Sequence, residues 1–143
     1  WVAVGGARRQ DSTSVEYYRA VEAKARQVVN IRFTGFVPFN EVGSYYDGAS
    51  ALVNTSVLEG FPNTFLQAWI RGIPTLSFVA PTTSGEDSGT ITCRDADDLD
   101  LQLSLLLSDA DRWRMAAERA RRHFDTHHSL DAVMPIYERL LCS

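Results

Sequence analysis

The sequence predicts an α/β fold, a Rossmann-like parallel sheet with helices on both faces. Short runs rich in β-branched and aromatic residues alternate with stretches of helical periodicity. Helices of about 10 to 15 residues between successive strands are typical of parallel sheets, which are covered on both faces. A chain of 143 residues with 45% hydrophobic content is long enough to bury one core. We therefore predict a single domain over residues 1–143.

The first predicted elements are a strand and a helix. Residues 1–4 form a short apolar run that ends at two glycines, which predicts a strand. Thr13 and Glu16 have the spacing of a capping box and predict the start of a helix. The apolar face of this helix would consist of Val15, Tyr18, Val21, Ala25 and Val28.

A short helix is predicted between the second and third strands. Residues 31–33 form the second strand, which ends at a Thr-Gly pair. Asn40 and Glu41 then predict a helix start, because Asn is a favoured N-cap residue and Glu suits a first turn. Three further strands are predicted at residues 51–53, 75–79 and 90–92.

The C-terminal part of the chain is predicted to be helical. Asp97 or Asp98 would cap a leucine-rich helix that runs through residue 107. Ser108 with Asp111 would open the next helix, which buries Trp113, Ala116, Ala117, Ala120 and Phe124. The last helix would cover residues 130–141, with Pro135 in or near its first turn.

Composition excludes several classes of protein. The formal net charge is −4, without the basic stripe that nucleic-acid binding needs, so no nucleic-acid partner is expected. The two cysteines have no metal-ligand spacing, which argues against a zinc site and favours a reducing, cytoplasmic setting. No apolar run approaches the roughly 20 residues of a transmembrane helix. Because the chain starts without Met in an apolar run, we expect it to be part of a longer protein.

The richest chemistry lies in residues 59–67, between the third strand and the following helix. In parallel α/β sheets ligands bind where strand ends lead into helix starts. Glu59 stands before a Gly-Phe-Pro turn, and the helix start near Pro62 directs free backbone N–H groups toward that turn. Such a helix start suits a phosphate or sugar oxygen. Structural capping is the simpler alternative for the turn.

The helix itself is predicted to have a polar line and a buried side. Residues 63, 67 and 71 follow one another at helical i, i+4 steps, so the side chain of Gln67 faces away from the core. Gly72 and Pro74 stop the helix. The buried side is predicted to consist of Phe65, Leu66, Trp69 and Ile70.

Two other sets of residues have a functional and a structural interpretation. Gly6 and Arg8 are candidates for a phosphate contact, but the segment lacks the third glycine of a dinucleotide fingerprint, and solvated surface is the alternative. Three histidines near the C-terminus lack metal-ligating companions, and a polar turn between helices explains them more simply. They are His123, His127 and His128.

Six segments occur in a fixed order and spacing: residues 31–37, 45–46, 49–56, 59–63, 67–68 and 72–74. Together they resemble the C-terminal half of the retaining glycosyltransferases with a GT-B fold, of the large family 4 type. The resemblance covers nearly the whole chain. It implies that this half binds a nucleotide-sugar donor, while a separate N-terminal half, absent from this chain, binds the acceptor.

The resemblance also implies roles for individual residues. Glu59 matches the first acid of the family motif and would be the catalytic residue, in contact with hydroxyls of the transferred sugar. Gln67 stands where the family usually has a second Glu on the nucleotide ribose. Sugar oxygens and the leaving phosphate would be held by Gly60, Phe61, Pro62, Asn63 and Thr64. The nucleotide base would lie near Phe36, Val37 and Pro38.

For the intact protein the resemblance implies transfer of a sugar, with a UDP-sugar favoured, to a glycan or glycolipid acceptor with retention of configuration. No metal or other cofactor is expected, and the fragment alone would be inactive. A role in polysaccharide or glycolipid assembly in the cytoplasm, peripherally at the inner membrane face, is the expected setting. A non-catalytic module that binds sugar nucleotides or carbohydrate is the alternative, and a general nucleotide-binding domain is the third.

Overall fold

The computed structural model describes residues 1–5, 12–58, 60–81 and 89–142, without the side chains of Ser12 and Thr13. The chain forms two compact units, Trp1–Asp47 and Gly48–Ser143. Each unit contains parallel strands joined by helices, so the predicted α/β class is confirmed.

The first unit is a two-stranded parallel sheet with two helices. Strand β1 (Val2–Ala3) pairs with β2 (Arg32–Phe33), and helix α1 (Ser12–Ala25) lies between them in the chain. The ring of Tyr18 on α1 packs edge-to-face on Phe33, with 5.6 Å between centroids. Helix α2 (Phe39–Tyr46) ends the unit. Helix α1 therefore packs on strand β2 through this aromatic pair.

Both helix starts in this unit differ from the prediction. Helix α1 begins at Ser12, so Thr13 lies inside its first turn and is not the residue that precedes the helix. Pro38 occupies the N-cap of α2, and its carbonyl accepts from the N–H of Glu41 at 2.9 Å. Asn40 is therefore a helical residue, because the restricted φ of Pro38, −57°, already lies in the range that a helix start accepts.

The second unit is a three-stranded parallel sheet in the order β3-β4-β5. Its strands are shorter than or close to the predicted ranges: β3 (Leu52–Asn54), β4 (Thr75–Ser77) and β5 (Thr90–Thr92). Helix α3 (Asn63–Trp69) connects β3 to β4 and ends before Gly72, whose φ of +65° lies in the left-handed region. The remaining helices are α4 (Ala96–Ser108), α5 (Ala110–His127) and α6 (Leu130–Leu141).

Helices cover both faces of the central strand β4. Leu76 points into a cluster with Leu103 and Leu106 of α4. The adjacent residue Thr75 points to the opposite face, where its hydroxyl oxygen Oγ1 accepts from Nε1 of Trp69 on α3 at 3.0 Å. All these side chains are buried, so the two faces form separate parts of the core.

The caps of α4 and α5 lie one to three residues from their predicted positions. Asp95 caps α4, since its side chain accepts from the N–H of Asp98 at 2.8 Å. Asp109 caps α5 in the same way, with acceptor distances of 2.9 and 3.1 Å. Both residues are extended, as an N-cap requires, and the neighbouring candidates lie in or before the helices. Pro135 lies inside α6, beyond its first turn.

Candidate functional site

The segment after β3 turns sharply and leads into α3. Asn54 closes the strand with an Asx turn, in which its Oδ1 accepts from the N–H of Ser56 at 2.7 Å. Pro62 is the N-cap of α3 and is buried, and its carbonyl accepts from the N–H of Phe65 at 2.9 Å. Proline thus sets the backbone direction at the helix start without leaving an unpaired N–H group.

The turn presents backbone donors on an open surface. No hydrogen bond within the described residues uses the N–H groups of Phe61 and Asn63. A Cβ built on Gly60 would meet no atom within 4 Å, so the space beside its backbone is open. Helix α3 has only seven residues, and its partial positive charge at this end is correspondingly local. The arrangement suits an oxygen-rich or anionic group that contacts the main chain directly.

The polar and buried sides of α3 lie largely as predicted. Phe65 and Trp69 are fully buried, whereas Asn63 is exposed and Gln67 is half-buried. The prediction for Ile70 was wrong, because its side chain is 41% exposed. Ile70 is the C-cap of α3 and still has helical dihedral angles, with its N–H donating to the carbonyl oxygen of Leu66 at 3.1 Å, and Ala68 completes the buried side.

The C-terminal end of α3 is fixed by two guanidinium groups. Arg71 donates to the carbonyl oxygen of Gln67 at 3.0 Å. Arg121 of α5 donates to the carbonyl oxygen of Ile70 at 2.6 Å and also pairs with Asp125. These bonds satisfy carbonyls that a helix end leaves unpaired and hold α3 against α5.

A group of aromatic and imidazole rings packs against Phe61 of the turn. Phe61 packs against Trp69, with 6.0 Å between ring centroids, and against His128, with 5.1 Å. His128 in turn stacks on Trp69 at 5.7 Å with an interplanar angle of 29°. His123 meets the edge of Trp69 at 4.9 Å. We call Phe61, Trp69, His123 and His128 the ring cluster.

Electrostatics within the ring cluster favour the neutral form of the His128 imidazole. Burial lowers the pKa of His128 below its ordinary value of 6.5, and the positive charge that His127 carries when protonated lowers it further. The sequence predicted a polar turn between helices for the three histidines, but His123 is a buried residue within α5. Only His128 lies at the junction of α5 and α6, as the C-cap of α5. Spacing alone gave no signal for the ring cluster, since it joins distant segments.

The other predicted site residues are not all part of this segment. Glu59, Gly6 and Arg8 lie outside the described residues. The proposed base loop belongs to the first unit, where Phe36 is exposed and Val37 is half-buried. Among the described residues of the second unit, the structure places six predicted site residues in the turn and in α3: Gly60, Phe61, Pro62, Asn63, Thr64 and Gln67.

The described ranges contain neither a cluster of metal-ligating side chains nor a membrane-spanning helix. No group of three or more His, Cys, Asp or Glu side chains within them has an arrangement that would hold a metal ion. None of the helices in these ranges has the length and apolar character needed to cross a membrane.

Comparison with solved structures shows the fold. The chain superimposes on sucrose-phosphate synthase from Thermosynechococcus elongatus with a TM-score of 0.75 at 20% identity, over 99% of this chain and 38% of that protein. The C-terminal domain of the group 1 glycosyl transferase LpcC from Francisella tularensis gives 0.70 at 20% identity, over 84% and 66%. HepE from Anabaena, in complex with UDP and glucose, gives 0.77 at 15% identity, over 99% and 40%.

These superpositions identify the fold as that of the C-terminal domain of GT-B glycosyltransferases. The chain spans less than half the length of sucrose-phosphate synthase and of HepE. None of the curated proteins matches the chain in sequence. The family model for glycosyl transferases group 1, however, matches residues 1–109, which is most of the chain. The chain therefore belongs to the family of glycosyl transferases group 1.

Proposed function

We propose that this chain is the donor-binding half of a retaining glycosyltransferase of the family 4 type, with a UDP-sugar as the favoured donor. The observation that carries the proposal is the turn at Gly60–Phe61–Pro62, whose open backbone leads into α3 in a chain of this family. Structures of HepE with UDP and glucose and with UDP-glucose are among those with the same fold, which supports a uridine nucleotide.

In this proposal the turn holds the sugar and the leaving phosphate. The N–H groups of Phe61 and Asn63 donate to sugar hydroxyls and phosphate oxygens, and Glu59 accepts from hydroxyls of the transferred sugar. Gln67, half-buried on α3, accepts from a ribose hydroxyl through its amide oxygen. Because the amide is neutral, this bond is weaker than one to a carboxylate by roughly 1 kcal/mol.

The rate of transfer depends on negative charge that develops on the leaving diphosphate. Backbone donors at the start of α3 stabilise that charge, since they are fixed before the reaction begins. Further cations belong to parts of the protein that precede this chain, together with the domain that binds a glycan or lipid-linked acceptor. We propose that the chemistry needs no metal, that the fragment binds a donor without turning it over, and that the acceptor belongs to cytoplasmic polysaccharide or glycolipid assembly.

Substitution of Glu59 tests the catalytic part of this proposal. In the full-length protein Glu59→Ala should reduce transfer by at least about 100-fold, because the transferred sugar loses a charged hydrogen-bond acceptor in the transition state. Glu41→Ala, on the exposed surface of α2, is the control and should leave turnover unchanged. Wild-type turnover by the Glu59 variant would contradict the assignment.

A panel of donors tests the binding part. Thermal shift and calorimetric titration of the 143-residue chain with UDP-, GDP- and ADP-sugars should give the largest effect with a UDP-sugar. A larger effect with a GDP- or ADP-sugar would contradict the choice of a uridine nucleotide as the donor.

One observation favours the alternative of a non-catalytic module that binds sugar nucleotides. Gln67 supplies a neutral amide at the position where the family resemblance implies an acid. Gln67→Glu distinguishes the two functions. A gain in turnover of the full-length protein supports the enzyme, whereas tight donor binding without turnover in both forms supports the module.

A further inference from the structure

The turn that carries the proposed donor site has few side-chain anchors of its own. Gly60 and Asn63 are exposed, and Phe61 is 41% exposed. The ring contacts of Phe61 within the described residues are those with Trp69 and His128. The direction of the turn backbone is therefore held by these two rings and by the buried Pro62.

Trp69 is itself fixed by the core. Its Nε1 donates to Oγ1 of Thr75 at 3.0 Å, and that hydroxyl is in turn 2.7 Å from Oγ1 of Thr90. The indole is fully buried and cannot change rotamer without breaking this network. Trp69 is thus fixed by the core, and His128 completes the ring cluster around Phe61 by contacting both Phe61 and Trp69.

We infer that His128 is a positioning residue for the donor site, because its neutral ring, stacked on Trp69, holds Phe61 and with it the backbone N–H groups of the turn. The inference rests on the proposed function of that turn. His128 does not touch the reacting atoms in this scheme. It acts through Phe61, from the junction of α5 and α6.

The environment of His128 makes this positioning sensitive to pH. Within the described residues, Phe61 and Trp69 face it without a charge, while His123 and His127 of α5 face it with rings that become positive on protonation. Nε2 of His128 is buried and has no hydrogen-bond partner among the described residues, so a proton there would be poorly solvated. Glu59, next to the turn in sequence, lies outside the described residues.

The sign follows from the pKa of His128, which is lowered in the folded chain. The folded state then binds a proton less readily than the unfolded one, so the neutral stack is complete above about pH 6.5 and is lost as the pH falls through the lowered pKa of His128. We expect the turn to loosen, and donor affinity to fall, in the same range.

The test compares three variants of the whole chain by NMR. Backbone amide signals of Gly60 and Phe61 should titrate with the same midpoint as the His128 imidazole. In His128→Phe, which keeps a ring in the stack, that titration should vanish. His128→Ala should shift the same signals at neutral pH. His127→Ala is the matched control: the ring contacts of His127 are with His123 and His128 and not with Phe61, so the amide titration should persist, with a midpoint that still follows the His128 imidazole.

Affinity for UDP-glucose is the second readout. In the window of about pH 5 to 8 where histidine titrates, UDP-glucose has no titrating group of its own. His128→Ala should weaken binding about two- to tenfold, the range expected for a lost aromatic pair. His128→Phe should bind like the wild type at neutral pH and lose the pH dependence. His127→Ala should retain affinity.

The results separate this inference from the proposed function. If UDP-glucose does not bind the wild-type chain, the donor proposal fails, while the amide titration still tests the positioning role. Amide signals of the turn that ignore the His128 titration would overturn the inference. So would tighter binding at low pH that His128→Phe abolishes, because His128 would then act as a cation toward phosphate.

Discussion

Replacement of Trp69 by Phe should weaken both the core and the donor site. The indole is fully buried, and its Nε1 donates to Thr75 at 3.0 Å. Loss of one buried hydrogen bond costs about 1 kcal/mol. Removal of part of the indole volume adds about 1 to 2 kcal/mol, less than the 3 to 5 kcal/mol typical of a large aromatic residue replaced by Ala. We expect a total of about 2 to 3 kcal/mol in the free energy of unfolding.

Trp113→Phe is the matched control for this substitution. Nε1 of Trp113 also donates to a single acceptor, the carbonyl oxygen of Ser50, at 2.7 Å, but Trp113 lies in the cluster on the other face of β4. Thermal unfolding followed by circular dichroism should show a lower midpoint for both variants. Calorimetric titration with UDP-glucose should show weaker binding only for Trp69→Phe, because only Trp69 contacts Phe61. Equal loss of affinity in both variants would refute the reasoning.

Two further predictions concern the core around β5. A Cβ on Gly89 would lie 2.4 Å from Cα of Ala120, so Gly89→Ala should destabilise the chain by about 1 to 3 kcal/mol, measured by urea unfolding. A Cβ on Gly60 would meet no atom within 4 Å, so Gly60→Ala should change the free energy of unfolding by no more than about 0.5 kcal/mol. Burial raises the pKa of the Cys93 thiol, so Cys142, which is exposed, should react with a thiol reagent at once and Cys93 only after unfolding. Rapid reaction of both thiols would contradict this.

The succession of strands and helices was predictable because each element is encoded locally. Alternation of β-branched runs with helical periodicity identified β3, β4 and β5 within a residue or two. The exact helix starts were not predictable, since the sequence offers several acids and hydroxyls in a row before α4 and α5. Which one becomes the cap depends on where the backbone is still extended, as it is at Asp95 and Asp109.

The turn of the candidate site was predictable for the same reason. The rings of Trp69 and His128 that pack against it were not. Pro62 and the residues after it specify a helix start by their own conformational preferences. Ile70 keeps helical dihedral angles and an i→i−4 hydrogen bond, so its exposure depends on which elements pack against the end of α3. A period of 3.6 residues cannot show where that packing ends, because it describes only the repeat of the helix itself.

The position of His128 shows why a site of this kind needs contacts from a distant part of the chain. A glycine-containing turn exposes its backbone to a ligand and therefore has little side-chain surface to bury. The necessary order must come from outside, and here it comes from the end of α5, whose own position is set by Ala116 and Ala120 in the core. Substitution of His128 should consequently alter donor affinity without any contact to the donor, whereas substitution of the neighbouring His127, which has no ring contact with Phe61, should not.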